Sequence, residues 1–174
     1  VWGGRNGQQI QNALVKTYAC PSDATLPQNN GGRGKASYAI NGQLSGLGYQ
    51  WWQVNYALFP TSIQDGTSNT ILFAEKVSRC DSGSYPDNFW PDWGPVIAES
   101  SGLGMPTGAN AVSQFRVRGF PAVCNGGRAS SMHSGSVLVG LADGSVRGVS
   151  SGVSGNTFWA ALTPNTGEVL GSDW

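Results

Sequence analysis

The chain carries a single histidine, His133, ten residues ahead of Asp143 and Gly144. Imidazole beside a carboxylate is the usual general base. A catalytic reading therefore takes His133 as base, Ser130, Ser131, Ser134 or Cys124 as nucleophile, and Asp143 or Glu75 as the orienting acid. The spacing limits that reading, because Ser134 to Ala142 reads as one extended strand. Nine intervening residues at about 3.3 Å each would hold His133 and Asp143 on the order of 30 Å apart. We therefore expect no enzyme and no catalytic residue, and assign His133, Asp143 and Gly144 an architectural role. Asp143-Gly144 between two apolar runs predicts a two-residue hairpin turn, since glycine adopts positive φ freely and aspartate tolerates it. His133 would mark the hairpin's open end.

Metal chemistry has two candidate sources. Cys20, Cys80 and Cys124 lack Cys-x-x-Cys spacing and cannot by themselves make a zinc site, since His133 is the only imidazole. A disulfide is the plainer use of two of them. Three pairings are open, and Cys80 with Cys124 is favoured because both lie in the Gly/Pro-rich middle, where a staple replaces missing secondary structure. The third thiol would be buried or intermolecular. Asp81, Asp87 and Asp92, with Asn88, could offer hard oxygen ligands to calcium, although their spacing matches no EF-hand loop. Asx residues beside Pro and Gly more often form turns, so we expect no cofactor, with calcium as the alternative.

Seven tryptophans are many for 174 residues. Trp159 and Trp174 read as core. Trp2, Trp51, Trp52, Trp90 and Trp93 are candidates for contact with another subunit or with a glycan, because an indole offers large area at little entropic cost. The bland alternative is that the loop indoles fold down over the sheet.

Composition narrows the field. Charged residues make up 11 % of the chain, while 26 Gly and 9 Pro fill the space, against about 25 % charged residues in average globular domains. Such chains are usually β-rich and extracellular. Ten basic and ten acidic side chains leave no net charge, so nothing favours nucleic acid or anionic membrane, whereas weak charge favours self-association. No stretch approaches the roughly 20 apolar residues of a membrane span. We read residues 1–174 as one domain, with 1–7 as an extended arm and 8–174 as the globular head. With no signal peptide and no initiator Met, the sequence reads as a mature or trimmed product.

The elements expected to position these residues are uneven. Gln8 to Tyr18 has apolar spacing that predicts a helix of about three turns. Ser37 to Asn41 predicts a short strand. Thr61 to Gly66 predicts a helical turn capped by Thr61 or Ser62 and stopped by glycine, before a central strand over Asn69 to Glu75 with Ile71 and Phe73 on one face. Residues 79–127 are loop-rich, with strand-like runs at Pro95 to Glu99 and Ser113 to Val117. After the hairpin, Ser154 to Asn156 caps a short helix through Thr157 to Leu162, halted by Thr163-Pro164, and Thr166 to Gly171 predicts a last strand.

Four separated motifs carry a resemblance: Cys20-Pro-Ser-Asp23; Ile63-Gln-Asp65-Gly66 continuing to Ala74-Glu75; Ser130-Ser-Met-His133 with nine residues to Asp143-Gly144; and Thr166-Gly-Glu-Val-Leu-Gly171. In that order and spacing, from about Gln8 to the C-terminus, the chain resembles the prepilin-type His-x9-Asp-Gly proteins, built on a bacterial domain of unknown function. Where those relatives usually carry His-Pro-Gly-Gly, this chain has His133-Ser-Gly-Ser. It also lacks the hydrophobic N-terminal helix typical of the family. The resemblance implies an α+β, β-rich, pilin- or pseudopilin-like head, exported to the bacterial cell surface and without known activity. The expected function is a secreted structural subunit that self-assembles into a filament as a helical homopolymer. The alternative is an extracellular carbohydrate-binding module.

Overall fold

The computed structural model describes residues 4–5, 8–26, 33–45, 58–83, 86–91, 95–98, 104–115 and 124–174. Its regular elements are β1 (Gly4–Arg5), β2 (Gln8–Gln9), β3 (Tyr38–Asn41), α1 (Gly42–Ser45), β4 (Ile71–Glu75), β5 (Val96–Ile97), β6 (Gln114–Phe115), β7 (Ser130–Ser131), β8 (Ser136–Leu141), β9 (Val146–Ser150) and α2 (Gly155–Ala160). The fold is α+β and strand-rich, as expected. Five strands form one sheet in the order β5-β3-β4-β8-β9, antiparallel except for the β3–β5 pair. β4 lies at its centre, where its run of apolar residues had placed it.

The main core lies between one face of this sheet and α2. Ala39, Ile71, Ala74, Val137, Val139, Leu141 and Val149 meet Phe158, Ala161 and Leu162 there, all buried. Simple alternation on β4 fails, because the β4–β8 register shifts between Ile71 and Phe73. The bulge adds a residue to one strand only, so Ile71 and Ala74 share the core face. Phe73, expected to share Ile71's face, is 47 % exposed on the other side. Asn41 ties three elements together, donating from Nδ2 to the carbonyls of Ile71 (2.8 Å) and Leu162 (2.7 Å).

The hairpin between β8 and β9 exists, but its turn differs from the expected one. Gly144 N–H bonds to the Leu141 carbonyl and Leu141 N–H to the Ser145 carbonyl, so the turn is centred on Ala142 and Asp143. Only Gly144 takes positive φ, at +87°. This is a three-residue loop closed by glycine in the left-handed region, with the Asp143 carboxylate accepting from the Ser145 N–H and hydroxyl. Those bonds to Ser145 hold the Asp143 carboxyl below its ordinary value.

The N-terminal helix expected over Gln8 to Tyr18 does not form. Two short 3-10 turns, Ile10–Asn12 and Lys16–Tyr18, stand in its place. An α-helix there would need the carbonyls of Gln11 and Ala13 for its own ladder. The Gly34 N–H takes the first and the Trp90 indole N–H, at 2.8 Å, takes the second. Leu14, on the expected apolar face, is 58 % exposed. Most of the supposed arm, residues 1–7, lies outside the described residues, although Gly4–Arg5 pairs with Gln8–Gln9 as a small hairpin.

The strand expected over Thr166 to Gly171 is also absent. Thr166 and Gly167 donate instead to the Asp65 carboxylate, and Gly167 turns the chain at φ +76°. Around Asp65, the expected helical turn is a series of tight turns ending at Gly66, φ +100°. The short C-terminal helix is present as α2, with Ser154 Oγ accepting from the Thr157 N–H as its cap. Among the described residues, no helix is long and apolar enough to cross a membrane.

Candidate functional site

Cys20-Pro-Ser-Asp23 is the first of the four motifs in the sequence. In the fold, Asp23 is a buried hub. Its carboxylate accepts from the Thr25 N–H and hydroxyl, the Ser37 hydroxyl and the Ser78 N–H. These bonds fasten the 20–25 segment to the chain entering β3 and to the chain leaving β4. Cys20 is thereby held, buried, over the end of β4.

Glu75 is the last residue of β4 and is also buried. One carboxylate oxygen, Oε2, is committed to scaffolding: it accepts from the Ser131 hydroxyl at 2.8 Å and from the Leu138 N–H at 2.9 Å. The other oxygen, Oε1, faces two side chains from distant parts of the sequence. His133 Nε2 lies 3.2 Å from it and Cys20 Sγ 3.8 Å, while the sulfur and Nε2 are 3.7 Å apart. Ser131 also accepts from the His133 N–H, so one hydroxyl positions both the acid and the imidazole. A cavity of about 10 Å³ borders Cys20, Glu75, Ser131 and Met132, about the room one water needs. The His133 side chain is 39 % exposed and connects the cluster to solvent.

Burial, together with the charges of Glu75 and Asp23, pushes the Cys20 thiol above its ordinary value. Burial and the same neighbours, Cys20 and Glu75, raise the Tyr38 hydroxyl. Lys76, next to Glu75 in sequence, is fully buried, and desolvation lowers it to about 7; its ammonium donates to the Val96 carbonyl.

The geometry does not make a nucleophile–base–acid triad. A triad needs the nucleophile and the acid on opposite ring nitrogens of the histidine. Here thiol and carboxylate face the same atom, Nε2. What converges is a thiol sulfur, an imidazole nitrogen and a carboxylate oxygen, a donor set suited to a borderline-soft metal.

The expected site residues are distributed unevenly around this cluster. Glu75 does partner His133, as one catalytic pairing had it, whereas Asp143 lies at the far end of β8. Cys124 is bonded to Cys80, the favoured pair, with Cα atoms 5.5 Å apart. Ser130 accepts from the Val77 N–H, and Ser134 is exposed on the surface. Cys20, expected only as the third, buried or intermolecular thiol, is buried, and its sulfur lies beside His133 and Glu75.

For calcium, the described carboxylates are engaged elsewhere. Asp81 pairs with Arg79 at 2.7 Å and Asp87 with Lys35 at 3.2 Å; Asp92 lies outside the described residues. Among the tryptophans, Trp2, Trp51, Trp52 and Trp93 also lie outside them. Trp90 is a structural pin, its ring against Tyr18 and its N–H on Ala13. Trp159 and Trp174 pack on the core, with Arg147 stacked over the Trp174 ring at 4.8 Å.

No curated protein matches the chain. No solved structure matches it either. Residues 2–155 match the model of SBP_bac_10, described as a protein of unknown function (DUF1559), and the chain belongs to that bacterial family.

Proposed function

We propose that the chain is a secreted structural subunit, a prepilin-type head that self-assembles at the bacterial cell surface into a filament or appendage. The observation that carries this reading is a row of residues across the outer face of the five-stranded sheet, in which large apolar side chains stand exposed. Ile40, Phe73, Gly140 and Val146 stand side by side across β3, β4, β8 and β9. Phe73 and Val146, 74 % exposed, project from that row, with Leu138 exposed nearby. Toward β5 the row leads into a groove of about 480 Å³ lined by Tyr18, Tyr38, Ile40, Phe73, Trp90 and Pro95.

A second copy of the chain is the occupant that suits this face. β9 is an edge strand, and Val146-Arg-Gly-Val-Ser150 carries neither the Lys nor the Pro that commonly guards such edges. Zero net charge adds little repulsion between copies. Burying one exposed Phe or Val fully is worth about 1.5–3 kcal/mol. Head-to-tail contact between an edge and a distant face grows a filament wherever its rotation does not close into a ring. The Cys80–Cys124 disulfide supports an oxidising, extracytoplasmic location.

Sedimentation velocity over a concentration series, with negative-stain microscopy, tests the proposal. We expect oligomers or fibres that Phe73→Glu and Val146→Lys abolish without lowering the unfolding temperature. A wild-type chain that stays monomeric and forms no fibres sinks it. A glycan array on the same material tests the lectin alternative. Sugar binding lost on Trp→Ala at Trp51, Trp52, Trp90 or Trp93, with no assembly to lose, would replace the subunit reading.

A further inference from the structure

We propose that Cys20, Glu75 and His133 are the protein ligands of a zinc-class divalent metal ion. Among the described residues this is the one place where three such donors meet. Their mutual distances carry the proposal. Tetrahedral zinc, with Zn–S about 2.3 Å and Zn–N and Zn–O about 2.0–2.1 Å, sets its S···N and S···O pairs about 3.5 Å apart and its N···O pair about 3.3 Å apart. The observed separations are 3.7, 3.8 and 3.2 Å. Each sulfur distance lies within about 0.3 Å of what a shared ion requires.

The chemistry agrees with the distances. A thiolate and an imidazole select zinc and its neighbours over calcium or magnesium, which prefer oxygen. One thiolate and one carboxylate neutralise the two charges of the ion, so the complete site buries no net charge. All three donors point at one locus, which explains why the acid and the thiol share His133 Nε2 rather than using the two ring nitrogens.

The surrounding groups are those of a supported site. Glu75 Oε2 is held by the Ser131 hydroxyl and the Leu138 N–H, leaving Oε1 as the free donor. Ser131 fixes the backbone of His133 as well. Such outer contacts orient ligands before the metal arrives. The exposed edge of His133 provides access, and water completes the fourth position. Binding displaces the thiol proton into solvent.

Cys20 makes the experiment specific. Cys80 and Cys124 are bonded to each other, so Cys20 carries the chain's only thiol. The metal-free full chain is titrated with Zn²⁺ by calorimetry and with Co²⁺ by absorption spectroscopy. We expect one ion per chain and, with cobalt, a near-ultraviolet thiolate-to-metal charge-transfer band together with the intense visible bands of a tetrahedral complex. Cys20→Ser removes the charge-transfer band. Cys20→Ser and His133→Ala each weaken zinc binding by about a hundredfold or more, and Ser131→Ala, which alters only the support, by roughly tenfold. Circular dichroism confirms that each variant is folded, and where one is not, the wild-type cobalt spectrum alone decides. The proposal is overturned by absence of stoichiometric binding, by cobalt binding without the thiolate band, or by undiminished binding in folded His133→Ala.

Discussion

Glu75 Oε1 and His133 Nε2 lie 3.2 Å apart, joining the end of the central strand to the loop before the hairpin. His133 thus takes its carboxylate partner from β4, and Asp143 serves a turn at the far end of β8. Because Glu75 Oε2 also accepts from Ser131 and Leu138, removing this side chain strands two donors in the interior. Glu75→Ala should cost about 2–4 kcal/mol. Glu75→Gln, which keeps one acceptor oxygen, should cost less. Urea unfolding of the metal-free protein checks the order, and equal losses would contradict it.

Asp23 predicts a larger effect than its place in a loop suggests. Its carboxylate accepts four hydrogen bonds, three of them from Thr25 and Ser37 side chains or backbone and one from the Ser78 N–H. Asp23→Ala should lower stability by about 3 kcal/mol or more, since bonds to a charged acceptor are the stronger kind and their donors are buried. It should also loosen Cys20, which thiol-reagent kinetics would register as faster labelling. Unchanged labelling would show that Cys20 is held by other means.

The disulfide staples a loop-rich region with a sequence separation of 44 residues. Chain-entropy reasoning for a loop of that size predicts about 4 kcal/mol of stabilisation. Cys80→Ser with Cys124→Ser should therefore lower the midpoint of chemical unfolding strongly, as should reduction of the wild type. A double variant as stable as the wild type would remove the staple from the account of the fold.

At the C-terminus, Asp173 accepts from the Thr157 hydroxyl at 2.6 Å and from the Ser154 N–H at 2.7 Å, latching the tail to the start of α2. These bonds hold its carboxyl below the ordinary 3.8. A depressed folded-state value means stability that is fully present above the unfolded value and lost as pH falls through the folded one. Asp173→Asn should therefore be less stable than wild type near neutrality, and the gap should close as pH falls below about 4. Thermal unfolding of both proteins across that range is the check. A gap independent of pH would assign the latch to something other than the charge.

Local patterns were legible where local bonds decide the outcome. Ser154 capping α2, Gly144 in its turn, and the apolar run of β4 all follow from residues within a few positions of one another. The hairpin was legible too, but not its turn, a three-residue loop where the two residues Asp143 and Gly144 were expected to make it. The N-terminal segment shows the limit. Its apolar spacing is helical, but Gly34 and Trp90 take the carbonyls at Gln11 and Ala13, and a long-range donor outcompetes a helix of three turns that has no buried face.

The sequence by itself determined the class of fold, the central strand and the capped helix. Those depend on period, turn chemistry and composition, which are properties of neighbouring residues. Only the tertiary structure decided that Cys20, Glu75 and His133 share a locus. Cys20 and His133 are 113 positions apart, and Cys20 and Glu75 are 55 apart. No periodicity spans such distances. The strand order of the sheet and the Asp23 clamp bring these donors together, and both arise from packing that no stretch of sequence carries alone.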